Sequence, residues 1–187
     1  DLMAALSAGV QARQDEIAKL ISQENGCPYS FSAMGQVYAA YAVLDYYTEL
    51  TRTFGFEEVR AGMLGPTLVR HEPVGVAAGI IPWNVPLFIV MLKLAPALAS
   101  GSTMVLKPAP ETPLDAAILA EVIHEVGFPA GVINIVPAGR EVGDHLVRHP
   151  GIDKVSFTGS TAVGRHIGAI CGEQLKRCTL ELGGKSA

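Results

Sequence analysis

The chain has 187 residues, 49% of them hydrophobic and 17% charged, with 20 glycines and 12 prolines. That is the length of one domain, apolar enough to bury a core and too apolar for a disordered chain. A formal net charge of −4 excludes the basic surface that nucleic acid or an anionic membrane demands of a partner.

Residues 2–24 place Leu2, Leu6, Val10, Ile17, Leu20 and Ile21 near helical spacing, and Asn25-Gly26 supplies a stop. Ser30 to Phe54 reads as a second amphipathic helix, with Met34, Val37, Tyr41, Leu44 and Tyr47 as its apolar stripe. Between Gly62 and His71, Gly65-Pro66 is the expected turn and Leu68–Glu72 an edge strand or hairpin arm. Val74 to Leu92 carries no charge and is long enough to span a bilayer. Pro82, Asn84 and Pro86 break it, so a strand and a helix are expected there, not a span.

From Val74 onward strands and helices alternate. The strands are Val74–Ile81, Thr103–Leu106, Val132–Val136, Lys154–Phe157 and Cys178–Leu182. The helices run over about 86–99, from an N-cap at Thr112 with Pro113 following to Gly127, over 141–149 and over 161–170. Short apolar strands alternating with helices read as βαβ units, hence an α/β fold with a doubly wound parallel sheet of about five strands behind two amphipathic helices. Ligands of such sheets bind at the carboxyl ends of the strands.

The chemistry-bearing residues fall at those ends. Asn84 follows the first strand and offers an amide to a developing oxyanion, or simply shapes the turn between two prolines. Lys107 follows the second and can reach a ribose hydroxyl or a phosphate, or be an ordinary exposed lysine. Phe157-Thr158-Gly159-Ser160-Thr161-Ala162-Val163-Gly164 is a strand–turn–helix whose first amides and Ser160 hydroxyl can hold a phosphate. Equally, Ser160 or Thr161 caps the helix and Gly164 permits close packing. Glu181, between Leu180 and Leu182, is the general-base candidate, its pKa expected to rise through part-burial, or a structural carboxylate. His145 and His149, four apart with no third ligand nearby, predict no metal site.

Three cysteines, Cys27, Cys171 and Cys178, lie far apart with no CxxC pair. They predict neither a disulfide framework nor a thiolate zinc site, and with no secretory pattern after Asp1 they suit the cytoplasm.

Five motifs in order resemble the aldehyde dehydrogenase superfamily. They are Glu72-Pro73-Val74-Gly75-Val76, Ile81-Pro82-Trp83-Asn84-Val85-Pro86, Lys107-Pro108 with Thr112-Pro113, Phe157-Thr158-Gly159-Ser160, and Glu181-Leu182-Gly183-Gly184-Lys185-Ser186. The resemblance covers about residues 70–187 and, more loosely, the leading helices. It implies a Rossmann-like sheet lacking the usual glycine fingerprint, and oxidation of an aldehyde to an acid with NAD+, NADP+ being possible. By it, residues 1–73 would be N-terminal helices and a hairpin segment packing on a cofactor domain at 74–187.

The resemblance also distributes roles. Asn84 would be the oxyanion-hole amide and Glu181 the general base. Lys107 would bind the adenosine ribose, while Ile81, Pro82 and Trp83 would border the nicotinamide half. Gly159, Ser160 and Val163 would receive the pyrophosphate and adenine side, with Gly139 close to the adenine and Leu182 and Gly183 against the nicotinamide. Val85, Phe88, Ile89 and Leu92 would line a substrate tunnel, and their apolarity favours a small apolar aldehyde; plain core packing explains them as well.

Two departures stand out. Where many NAD-preferring relatives carry a ribose-binding Glu three residues after the lysine, this chain has Pro110, with Glu111 next to it. The family's nucleophilic cysteine lies beyond the Glu181 motif, on a catalytic domain that these residues do not include. Cys178 should point away from Glu181, Cys171 lies at the far end of its helix, and Cys27 is in another region, so none replaces it. The chain is therefore expected to be an inactive portion of a longer, homo-oligomeric enzyme. The alternative is a non-catalytic dinucleotide-binding truncated relative.

Overall fold

The computed structural model describes residues 1–185. Ser186, which closes the motif beginning at Glu181, lies outside the described residues together with Ala187.

The first expected helix is two, α1 (Leu2–Ala12) and α2 (Gln14–Asn25), parted at Arg13 with φ −101° and ψ 16°. The Arg13 guanidinium donates to Glu16 at 2.8 Å and to Glu121 at 2.6 Å, so the break is tied to a distant helix. Gly26, at φ 74°, ends α2 in the left-handed conformation that glycine adopts without steric cost. The second expected helix begins as a short turn α3 (Tyr29–Phe31), widens to a π-helix over Ser32–Tyr38 and becomes α4 over Ala39–Thr53. Val37 and Leu44 are buried as expected, but Met34 is 59% exposed, because wide π turns carry it off their common face.

An antiparallel hairpin follows, β1 (Glu57–Gly62) and β2 (Gly65–Arg70), with Gly62 paired to Gly65. Its turn is Met63-Leu64, not Gly65-Pro66. Gly65 instead opens the returning strand at φ 125°, a conformation that L side chains rarely adopt. Both arms are exposed apart from half-buried Val69.

The main sheet holds β3 (Val76–Ile80), β4 (Thr103–Lys107), β5 (Ile133–Ile135), β6 (Lys154–Gly159) and β7 (Arg177–Leu182). All pairs are parallel, in the order β5-β4-β3-β6-β7. The chain thus builds outward from β3 to β5, returns, and builds outward again from β6 to β7, with α5 (Pro86–Ala99), α6 (Leu114–Val126), α7 (Arg140–Arg148) and α8 (Thr161–Glu173) as crossovers. Strand alternation sends Ala77, Met104 and Leu106 to one face, against Leu87, Met91 and Leu94 of α5 and Leu119 of α6. Leu6 and Val10 of α1 and Leu44 of α4 complete that core. The opposite face sends Ala78, Ile80, Val155 and Phe157 against Val147 of α7 and Ile167 and Ile170 of α8. Helices cover both faces of an α/β, doubly wound sheet.

Two ends of α6 differ in how well they follow expectation. Gly127 closes it at φ 82° as predicted. At the head Pro113, not Thr112, holds the N-cap position, and no side chain of the helix caps it. Glu24 does so from α2, its Oε1 accepting the Leu114 amide at 3.0 Å. Asp115 is buried beside it, and burial, then the Glu24 charge, pushes its carboxyl up to about 7.

In the folded state Asp115 holds a proton up to about pH 7, whereas the unfolded chain releases it near pH 4. The stability this group contributes is therefore lost as pH rises through that interval. Asp115→Asn should remove the loss, its gain in melting temperature over the parent protein growing between pH 5 and 8 in thermal unfolding scans.

Candidate active site

The sheet changes winding direction between β3 and β6, and chain leaving these two strands departs to opposite faces. On the α7–α8 face a cleft of about 750 Å³ opens there, floored by Ile80 and Phe157 and flanked by Lys107, Arg140 and Gly143 on one side and Ser160, Val163 and His166 on the other. This volume lies within the range of cofactor sites.

Lys107 is the last residue of β4 and only 5% exposed. Its Nζ donates to the carbonyls of Pro108 at 2.9 Å and Ala138 at 2.7 Å. An ammonium has three hydrogens, so one is left to point elsewhere. Among the described residues no carboxylate neutralises it at contact distance, and burial pushes its pKa down, opposed by the charge of Glu111. Gly143 of α7 lets the stem pass: a Cβ there would lie 3.3 Å from Lys107 Cε.

Across the cleft stands the amino end of α8. Ser160 is its N-cap, the hydroxyl accepting the Val163 amide at 3.4 Å, so the capping reading of Ser160 holds. The remaining first-turn amides and the helix dipole still favour an anion. Gly164 allows the close packing expected of it, since a Cβ would sit 2.3 Å from Leu182. Gly159 ends β6 just before the cap, and Gly139 holds the N-cap position of α7 beside the cleft.

Lys107, Ser160 and Val163 thus meet in one cavity, and the other expected residues do not line it. Trp83 is 54% exposed. Asn84 is exposed beside it, on the loop between β3 and α5. Asn25, the last residue of α2, holds this loop, donating its side-chain amide to the carbonyls of Trp83 at 3.2 Å and Asn84 at 3.3 Å. Glu181 and Leu182 close β7, and Gly183 follows. Pro82 is half-buried and Pro110 exposed. Val85, Phe88 and Ile89 are half-buried and Leu92 exposed, an apolar row down α5 that the core does not fully absorb.

Two expectations need correction. Ile81 is 3% exposed and packs into the α5-side core, so only its backbone can border a ligand. Glu181 is exposed, not part-buried: among the described residues β7 is the edge strand of the sheet.

One residue escaped the sequence reading. Lys93 of α5 is 8% exposed, its Nζ donating to Ser156 Oγ at 3.1 Å and Thr158 Oγ1 at 2.8 Å on β6. Burial pushes its pKa down to about 8, and the nearby Glu181 charge opposes that shift. The signal was present: a single charge inside the apolar run Pro86–Ala99. Alternation puts Glu181 on the same sheet face as Thr158, its register partner, and so on the side of Lys93. Cys178, three residues earlier, points to the other face, as expected. Among the described residues, no group of three or more His, Cys, Asp or Glu side chains could hold a metal, and no helix is long and apolar enough to cross a membrane.

The sequence pattern of the aldehyde dehydrogenase family matches residues 1–187. This chain belongs to that family. It is 47% identical to geranial dehydrogenase of Castellaniella defragrans, covering 95% of this chain and 37% of that protein. It is likewise 47% identical to phenylacetaldehyde dehydrogenase of Pseudomonas fluorescens, again over 95% of this chain and 37% of the relative. Among solved structures, the Mycobacterium tuberculosis aldehyde dehydrogenase complexed with NAD+ superposes with a TM-score of 0.95 at 45% identity, over 99% of this chain and 38% of that one. An NADP-dependent Escherichia coli enzyme gives 0.94 at 36% identity, over 99% and 39%. The chain therefore spans somewhat over a third of the length of the family members it matches.

The hold of Asn25 on the Asn84 loop has a direct readout in Trp83, the only tryptophan. Asn25→Ala should free the loop, so that acrylamide quenches the Trp83 fluorescence more strongly while circular dichroism stays unchanged.

Proposed function

We propose that this chain is the cofactor-binding portion of an NAD(P)+-dependent aldehyde dehydrogenase that oxidises an apolar aldehyde to its carboxylic acid. The observation that carries the reading is the buried Lys107 opposite the amino end of α8 in a cleft at the sheet's switch point. Lys107 holds the adenosine ribose through its free N–H. Ser160, Gly159 and Val163 receive the pyrophosphate and adenine side, Gly139 lies by the adenine, and Pro82, Trp83, Leu182 and Gly183 border the nicotinamide. Pro110 places no carboxylate where it would repel a 2′-phosphate, so NADP+ is admitted beside NAD+. The NAD+ complex and the NADP-dependent enzyme of the same architecture support both.

When bound, the dinucleotide supplies the two-electron acceptor. The chain's own residues do the rest of the work assigned to it. Asn84 donates its side-chain amide to the oxygen that gains charge when the aldehyde carbonyl is attacked. Glu181 takes the proton from the water that hydrolyses the acyl intermediate. Lys93 sets the charge around Glu181 from beneath. The attacking thiol belongs to a part of the protein outside these 187 residues. Val85, Phe88, Ile89 and Leu92 take the aldehyde's apolar side, in keeping with the terpenoid and aromatic aldehydes in the names of two relatives. A homo-oligomer completes the proposal, with Val59, Met63, Leu64 and Leu68 on the exposed hairpin as its available surface. A cytoplasmic setting, in which the three free cysteines stay reduced, belongs to it too.

Lys107→Met in the complete protein should weaken NAD+ and NADP+ binding about 10- to 100-fold, the loss of one charge-assisted hydrogen bond, in a calorimetric titration. Unchanged affinity would overturn the cofactor assignment. Glu181→Gln should lower the steady-state rate on an apolar aldehyde about 10²- to 10⁴-fold with nucleotide affinity intact. Normal turnover would remove Glu181 from the role of base.

A further inference from the structure

Leu182 of β7 lies against Gly164 of α8 and Leu180 against Gly168, so strand alternation sets Cys178 against the next turn of that helix, where Cys171 stands. The turn is fixed. Lys176 donates its amide to the Cys171 carbonyl at 2.8 Å, and Leu175, the one non-glycine residue with positive φ among the described residues, stands at 54° to make the reversal. β7 then runs back along α8, with Cys178 on the face that looks at Cys171. The environments of the two sulfurs are opposite. Cys171 is 1% exposed in the core between α8 and the sheet, whereas Cys178 is exposed on the edge strand. Catalysis as proposed above uses neither, since both lie on the sheet face opposite Glu181.

We infer that Cys171 and Cys178 form a dithiol site for hydroperoxides, in which the exposed Cys178 meets the oxidant and the buried Cys171 resolves it as a disulfide between α8 and β7. In the first step the Cys178 sulfur attacks one peroxide oxygen and the O–O bond breaks. The other oxygen leaves as water, or as an alcohol from an organic hydroperoxide, taking up the thiol proton. In the second, the Cys171 sulfur attacks the Cys178 sulfenic acid, the S–O bond breaks, and water leaves with the Cys171 proton. Two thiols are oxidised by two electrons in all, and one peroxide is reduced. Lys176 assists. Its Nζ is anchored on the carbonyls of Val147 at 2.9 Å and His149 at 2.6 Å, and its charge favours the Cys171 thiolate against the burial that pushes this thiol up. A disulfide needs two cysteines on the facing sides of neighbouring elements, and the tight turn between α8 and β7 places these two so.

The test uses the complete protein, treated with hydrogen peroxide, alkylated and digested with trypsin without reduction. Lys176 and Arg177 lie between the two cysteines, so trypsin separates them and a disulfide joins two peptides visible by mass spectrometry. The joined pair should form in wild type and vanish on adding dithiothreitol. Cys171→Ser should leave Cys178 as a sulfenic acid trapped by dimedone, and Cys178→Ser should leave Cys171 unmodified. Over-oxidation of Cys178 with Cys171 still free in wild type, a Cys178-to-Cys178 link between two chains, or no reaction at either sulfur would each overturn the inference. None of these outcomes bears on nucleotide binding, so the site stands or falls apart from the proposed function.

Discussion

The close approach of α5 to the central strand is the constraint on which the rest of this structure depends. β3 is built from Val76, Ala77, Ala78, Gly79 and Ile80, and has neighbours on both sides and helices on both faces. A Cβ on Gly79 would lie 2.8 Å from Leu106 and 3.7 Å from the stem of Lys93. Gly79 thereby leaves room for Leu106 of β4, which packs in the same core as Leu87, Met91 and Leu94, while the glycine stays in ordinary contact with α5. The approach sets the loop that carries Asn84, because that loop is the short connection between β3 and α5. It also brings Lys93 within reach of the β6 hydroxyls. Dense interiors transmit such small differences of volume with little give.

Two lysines, one on each side of the sheet, share an unusual arrangement. Lys93 is held by two hydroxyls and Lys107 by two carbonyls, so both are desolvated by neutral groups rather than paired with carboxylates at contact distance. Neutral acceptors offset part of the cost of burial and leave the charge itself uncancelled. A fully ion-paired lysine would offer little to an incoming anion. A lysine held only by dipoles keeps its field available, and the structure keeps these two fields apart by placing a strand layer between them. The chemistry at one rim thereby acquires two cationic poles that do not compete for the same partner.

Much of the architecture was legible because local signals and burial agree. Pro86 at the first turn of α5, the glycine after α6 and the short apolar strands each carry a steric reason to be where they are. The misreadings share a different cause. Gly65-Pro66 looks like a turn by composition, but the turn belongs to Met63-Leu64, whose exposure no rule of composition predicts. The π-helical start of α4 leaves the hydrophobic spacing almost unchanged while it rotates Met34 into solvent. Glu181 sits between leucines in sequence, yet edge position, a property of the sheet and not of the strand, leaves it open. Ile81 looked like part of the rim because its neighbours are; one step of strand alternation turns it inward. The pairing of Cys171 with Cys178 depends on a reversal at a leucine, a residue that carries no turn signal.

Asn25 joins the N-terminal helical layer to the loop that carries Asn84, and this has a consequence for modularity. The orientation of that loop is written partly in another layer, at the last residue of α2 and the glycine that stops it. A sheet transplanted between relatives from β3 onward would leave this brace behind. Chimeras joined at the natural seam before β3 would inherit every rim residue and still misplace one of them. A workable graft boundary lies upstream of α2, so that Asn25 and Gly26 travel with the loop they hold.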